Sequence, residues 1–170
     1  MKTLRTKFKL LQNDLNGHAI LELAVVLPVV LTIGLGAIEF GNMIYRKHLI
    51  INGVRDAARY ASGLAYDAAN TTQTTNISTA TKNIATTGAI SGGTNRISWW
   101  TPSSVTVAYT SIANGNTSCG STRCYRPIGD IATVTVSTSV AYQPLGFLGF
   151  LGLNAVTLNA SHQERVIGVR

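Results

Sequence analysis

The side chains that could do chemistry are few in this sequence and lie far apart. His18, His48 and His162 are isolated, and Cys119 and Cys124 are the two cysteines. A zinc site needs about four Cys, His or carboxylate ligands at characteristic spacing, and these residues do not provide that pattern. Phosphate-loop, zinc-protease and serine-hydrolase motifs are also absent from the sequence. We therefore expect no metal site, no cofactor and no enzymatic activity.

The two cysteines stand in the segment CGSTRC, within a polar stretch rich in Gly, Ser and Thr. Their spacing differs from the C-x-x-C of thiol redox motifs. A small structural disulfide between Cys119 and Cys124 is the simpler interpretation, and it would place this part of the chain in an oxidising compartment. The alternative is two unrelated buried thiols.

Glu22 is the unusual acidic residue because it lies at the start of a long apolar run. Leu23–Ile38 reads LAVVLPVVLTIGLGAI and contains no charged residue. A helix of about 20 apolar residues crosses the hydrocarbon core of a bilayer. Ionisable groups inside a membrane are candidate functional residues by default, so Glu22 is one. The alternative is an interfacial Glu that reaches back to the lipid headgroups.

The apolar run is too long for a typical cleavable secretory signal, whose apolar region has about 7–15 residues. It also ends in GAIEFGNMIY, without a clear A-x-A cleavage site. We therefore predict a lasting transmembrane helix over residues 18–45. Pro28 lies inside it and removes one backbone hydrogen bond, which predicts a kink.

The positive charge of the chain is concentrated in the leader Met1–Gly17. The leader holds four Lys and Arg and one Asp, which gives +3 of the net charge of +7 and leaves +4 for the remainder. The high isoelectric point therefore does not indicate binding to nucleic acid. Cations flank both ends of the apolar run, so charge alone orients the helix only weakly.

Helical periodicity continues beyond the apolar run. Apolar residues recur at steps of three and four, which is typical of a helix with one buried stripe: Ile50, Val54, Ala57, Ala58, Ala61, Leu64 and Ala65. We predict one helix from about residue 19 to about residue 66. Ile77, Ala80, Ile84 and Ala85 favour a short second helix near 76–87, and the alternative there is a disordered Thr-rich loop.

The C-terminal part of the chain has the alternation of β-strands. Apolar and polar residues alternate in Ser104–Thr110, Ile131–Tyr142 and Ala155–Ser161, which indicates strands with one buried face. We predict an α+β domain in which a three-stranded antiparallel meander packs on the outer half of the long helix. The segment Pro144–Leu153, PLGFLGFLGL, is either a loop lining the core or a surface that contacts a subunit or the membrane interface.

The residues Gly17-His18-Ala19-Ile20-Leu21-Glu22, followed by an apolar run, resemble the cleavage region of type IV prepilins. The longer stretch GHAILELAVVLPVVLTIGLGAIEFGNMIYRKHLIINGVRDAARYAS resembles the TadE-like family of the tight-adherence (Flp) pilus machinery. The features shared with that family are Pro28, the sequence Glu39-Phe40-Gly41 directly after the apolar run, and the sequence Ala57-Ala58-Arg59 in the helix that follows. VTVSTSVAYQPLGFLGF and LNASHQERVIG resemble the final strands of that family more loosely.

This resemblance implies a minor pilin or pseudopilin with a pilin-like fold. It would take part in priming or initiating a pilus that serves adhesion, or would form its tip. A prepilin peptidase would cut between Gly17 and His18, and Glu22 would set the register of assembly. The implied partners are that peptidase, the major pilin, other minor pilins, the inner-membrane assembly platform and membrane lipid.

The resemblance also implies a location and a domain plan. Residues 1–17 would be a cytoplasmic leader, 18–45 a single span of the bacterial inner membrane, and 46–170 a periplasmic α+β domain. In a finished pilus the domain would be extracellular. The alternative function is a signal-anchored periplasmic binding module that never enters a filament.

Overall fold

The computed structural model describes residues 15–64, 71–112, 131–146, 149 and 156–167. In chain order the elements are helix α1 (Leu15–Gly63), helix α2 (Thr71–Thr87), a 3-10 turn (Pro102–Ser104) and strands β1 (Val105–Ile112), β2 (Ile131–Ala141) and β3 (Thr157–Arg165). The predicted α+β class, with a long N-terminal helix packed on a small antiparallel sheet, is confirmed.

The chain divides into two units, which are described separately here. One contains Met1–Gly41 and Pro144–Asn154, and the other contains Asn42–Gln143 and Ala155–Arg170. The first is dominated by the apolar half of α1. The second holds the amphipathic half of α1, helix α2 and the whole sheet.

Helix α1 is continuous over 49 residues, close to the predicted limits. It runs through Pro28, where the Thr32 hydroxyl donates a hydrogen bond of 2.7 Å to the Pro28 carbonyl oxygen. A side-chain hydroxyl bonded to the carbonyl four residues earlier is a common helix contact that favours bending. The kink at Pro28 stays a prediction, with this contact as local support.

The sheet has the strand order β1-β2-β3, and both pairs are antiparallel, as the alternation predicts. The register aligns Val107 with Val136 and Val136 with His162, so these residues share the inner face. Six residues of that face are buried: Val105, Val134, Val136, Thr138, Val140 and Leu158. The opposite face carries mainly Thr and Ser side chains.

Gly53, in the amphipathic half of α1, lies close against the rest of its unit. A β-carbon built there would overlap the Ala85 carbonyl oxygen and would lie 2.7 Å from the Trp100 ring. The Trp100 indole N–H in turn donates to the Thr138 hydroxyl at 3.1 Å. The buried stripe predicted for this half of α1 is confirmed at Ile50, Val54, Ala57, Ala58 and Ala61.

Helix α2 is longer than predicted, and two of its threonines are buried. The Thr81 hydroxyl donates to the Ile77 carbonyl at 2.6 Å, and the Thr86 hydroxyl donates to the Lys82 carbonyl at 3.2 Å. Because the helix backbone satisfies these hydroxyls, they can be buried at little cost. The helix stops at Gly88, which has a φ of +81° and donates its N–H to the Ile84 carbonyl oxygen.

Candidate functional site

The apolar half of α1 exposes its large side chains instead of burying them. Among the described residues this is the one helix long and apolar enough to cross a membrane, and its most apolar 18-residue window is 0% buried. Exposed large apolar residues before Glu39 are Ile20, Leu21, Leu23, Val25, Val26, Leu27, Val29, Val30, Leu31, Ile33 and Ile38. A core helix of a globular protein would be covered, so this surface calls for lipid or another apolar partner.

The predicted cleavage and register residues all lie on this helix. Gly17 falls within its first turn, and His18 and Glu22 are exposed. Residues four apart face the same side of a helix, about 6 Å apart along the axis. The structure therefore puts Glu22 on the same face as the amino group that cleavage after Gly17 would create. The cleavage and the register role remain predictions.

Glu39 is a residue that the sequence reasoning did not single out as a site. Among the described acidic side chains it is the buried one, with 1% exposure, and it directly follows the uncharged run. Its carboxylate accepts the backbone N–H of Leu145 at 3.1 Å. A hydrogen bond to a carboxylate offsets part of the large cost of burying that charge. The signal in the sequence was an isolated acid at the end of an apolar helix.

A second polar contact lies at the start of the sheet-containing unit. The Asn42 side-chain amide donates to the Tyr142 hydroxyl at 2.6 Å. The Tyr142 ring is buried and meets the Trp99 ring edge to face, with centroids 6.3 Å apart and an interplanar angle of 82°. Through these contacts, Asn42 of α1 is linked to Tyr142 and Trp99, which are both distant from it in the sequence.

Within the described part of the chain, the remaining residues considered in the sequence analysis do not come together in a site. Cys119 and Cys124 lie outside the described residues, so their predicted disulfide is untested. His48 is exposed, and His162 pairs with Glu164 at 2.8 Å on β3. Within the described ranges no three His, Cys, Asp or Glu side chains cluster as a metal site would require. Of Pro144–Leu153, the structure describes residues 144–146 and 149.

Comparison with known proteins gives one match, and the matched residues lie within helix α1. The family model described as TadE-like protein matches residues 17–59, about a quarter of the chain. No curated protein and no solved structure gives a significant match. The exposed apolar helix suggests a membrane-anchored, single-pass protein, and the matched residues are similar to TadE-like proteins. The stretch from Gly17 to Arg59, which begins at the predicted cleavage site and ends in the buried stripe of α1, is TadE-like.

Proposed function

We propose that this chain is a minor pilin or pseudopilin that helps to prime or initiate assembly of a tight-adherence pilus or forms part of its tip. The observation that carries the proposal is the uncovered apolar half of α1, which lies within the TadE-like stretch and starts at a prepilin-type cleavage motif. TadE-like pilus proteins are structural, and the role proposed for this chain is structural as well.

The proposed path begins in the inner membrane. The basic leader stays in the cytoplasm, the apolar half of α1 crosses the bilayer, and the sheet-containing unit lies in the periplasm. A prepilin peptidase then removes the 17-residue leader, leaving 153 of the 170 residues. The exposed Leu, Val and Ile side chains hold the subunit in lipid until assembly begins.

During assembly, contacts with lipid are replaced by contacts with neighbouring helices. The wide distribution of exposed apolar side chains around α1 supports this, because a helix in a bundle needs partners on more than one side. The major pilin and other minor pilins supply those helices, and an inner-membrane platform receives the subunit. A separate cytoplasmic ATPase supplies the energy.

The decisive experiment is the intact mass of protein extracted from membranes of a host that has the cognate peptidase. Loss of residues 1–17, with His18 as the new terminus, is the expected result. The variant Gly17→Leu, which removes the small residue before the cut, should keep the full length. A wild-type chain that retains Met1 would refute the pilin function and leave the signal-anchored binding module as the better explanation.

Localisation gives the complementary test. Processed protein should co-fractionate with sheared pili or, for a priming subunit, remain in the membrane while its deletion abolishes piliation. Deletion that changes neither pilus number nor adhesion would contradict a role in biogenesis.

A further inference from the structure

Glu39 lies at the depth where the hydrocarbon core of a membrane crossed by α1 would end. The uncharged run Leu23–Ile38 has 16 residues and so measures about 24 Å along the helix axis. The hydrocarbon core is about 30 Å thick, so a run centred in it stops about 3 Å short of each edge. Because Glu39 directly follows the run, its carboxylate is close to lipid chains, which cannot satisfy a charge or a hydrogen bond.

The burial of Glu39 contrasts with the exposure of its two neighbours on the helix. Glu39 is 1% exposed, whereas Ile38 and Phe40 are 58% and 59% exposed. Its carboxylate accepts the backbone N–H of Leu145 at 3.1 Å, so the backbone of this distant residue is part of its cover. This stretch of the molecule therefore presents apolar side chains outward and keeps its acid inside.

The segment around Leu145 has one polar and one apolar side. Its N–H points to Glu39, whereas the Leu145 side chain is 55% exposed, and Pro144 and Gly146 are exposed as well. Gly146 has a φ of +119°, and a β-carbon built there would meet no described atom within 4 Å. The segment thus faces the acid with a backbone donor and turns an apolar side chain away from it.

The sequence around Leu145 has the composition of a segment that contacts lipid. Pro144–Leu153 reads PLGFLGFLGL, without a charged residue and with large apolar residues between the glycines. A loop that faces water normally carries polar residues. The segment also belongs to the same compact unit as the apolar half of α1, so it shares the surroundings of that helix.

We propose that Pro144–Gly146 is a second lipid-contacting element, which lies at the edge of the hydrocarbon core and shields the Glu39 carboxylate from the lipid chains. The occupant is lipid, since Leu145 is apolar, exposed and held by Glu39 at the end of the lipid-facing run. Irregular backbone is tolerated at this depth where protein satisfies its polar groups, and Glu39 does so for the N–H of Leu145. The inference rests on membrane anchoring by α1 and does not depend on the pilus role.

The test places a fluorophore at position 145 of the full chain in phosphatidylcholine vesicles. The variant Leu145→Cys is labelled with nitrobenzoxadiazole in a chain that carries Cys119→Ser and Cys124→Ser, so that the label has a single site. Ile38→Cys in the same background gives the reference depth at the end of the run, and Val30→Cys gives the depth of its middle. The quenchers are iodide in the water and a nitroxide near the headgroup end or near the terminus of the acyl chains.

The labels at positions 145 and 38 should both lose emission mainly to the shallow nitroxide and to the same extent, whereas the label at position 30 should lose it mainly to the deep nitroxide. Stronger quenching by iodide at position 145 would overturn the proposal, because the residue would face water. Absence of quenching by all three agents would overturn it as well, since protein, either this chain or a second copy, would then cover the site.

The role of the Glu39 carboxylate is tested in the same labelled chain. Glu39→Ala should make the label at position 145 more accessible to iodide, whereas Glu39→Gln should not, because its amide oxygen still accepts the N–H. Equal accessibility in all three chains would overturn the assignment of this depth to the Glu39–Leu145 bond. A label at position 30 that escapes the deep nitroxide would overturn the inference together with membrane anchoring. The cleavage test of the pilus function is separate from each of these results.

Discussion

The Glu39 carboxylate accepts the backbone N–H of Leu145 at 3.1 Å, although the two residues are 106 positions apart in the sequence. The bond ties the segment after β2 to the end of the apolar run of α1. Both residues belong to the same unit of the chain, so the apolar half of α1 and this segment form one compact part of the molecule.

Replacing Glu39 by Ala should release the segment around Leu145. A hydrogen bond to a charged group contributes about 1.5–3 kcal/mol, which corresponds to roughly a 10- to 150-fold change in a local opening equilibrium. We expect amide hydrogen exchange at Leu145 to accelerate by a factor of that order. Glu39→Gln keeps an acceptor oxygen and should retain much of the protection.

The matched control for this prediction is Glu22→Ala, which removes an exposed carboxylate from the same helix. It should leave exchange at Leu145 unchanged. If Glu39→Ala left the amide as protected as in the wild type, the carboxylate would not be what holds the segment.

Gly53→Ala should destabilise the sheet-containing unit. The new methyl group would overlap the Ala85 carbonyl oxygen and the Trp100 ring, and neither backbone nor a buried indole moves easily. Overpacking of this kind costs about 1–3 kcal/mol. Thermal unfolding followed by tryptophan emission, to which the buried Trp100 contributes, measures it. Gly63→Ala is the control, because nothing lies within 4 Å of its added carbon, and an equal loss in both variants would argue against close packing at Gly53.

Local patterns were sufficient to predict α1 and the three strands. The step of three and four residues located the buried stripe of α1, and alternation located all three strands, because burial on one face imposes the period of the backbone on the sequence. Helix α2 was left open against a loop, since threonine has a low intrinsic helix propensity. Tertiary burial of Thr81 and Thr86, with their hydroxyls bonded to the helix, decides that case.

The long-range contacts of the candidate site could not be predicted in the same way. No periodicity relates Glu39 to Leu145, or Asn42 to Tyr142, because each pair is about 100 residues apart and meets only once the chain is folded. Gly17, His18 and Glu22 could be proposed from the sequence because the predicted cleavage and register roles depend only on local spacing along one helix.

Cys119 and Cys124 should form a disulfide in the native protein. The ring of six residues is short, so its effect on stability should be below the ~3 kcal/mol expected for a 15-residue loop. Protein denatured without reductant should contain no thiol that reacts with maleimide, and reduction should restore two. Cys119→Ser combined with Cys124→Ser should fold with only a small fall in melting temperature. Two reactive thiols in freshly isolated protein would contradict both the bridge and the periplasmic location.

Glu22→Leu should leave membrane insertion intact and block entry into the pilus. Glu22 is exposed on α1, one turn from His18, so in the stored subunit its carboxylate can reach the headgroups. Inside a helix bundle the carboxylate of Glu22 loses its contact with water and headgroups, so its negative charge needs a partner. Cleavage supplies one in the new α-amino group of His18, on the same or a neighbouring subunit, and pairing favours one axial register over others.

The measurement compares wild type, Glu22→Leu and Glu22→Asp in membranes and in sheared pili. The Glu22→Leu variant should be present in membranes at the wild-type level and be depleted from pili. The Glu22→Asp variant keeps the charge on a shorter side chain and should enter pili to an intermediate extent. Cleavage of all three must be verified by intact mass, so that loss from pili is not caused by failed processing. Equal amounts of the Leu variant and wild type in sheared pili, with normal pilus number, would remove the register role and make Glu22 an ordinary interfacial residue.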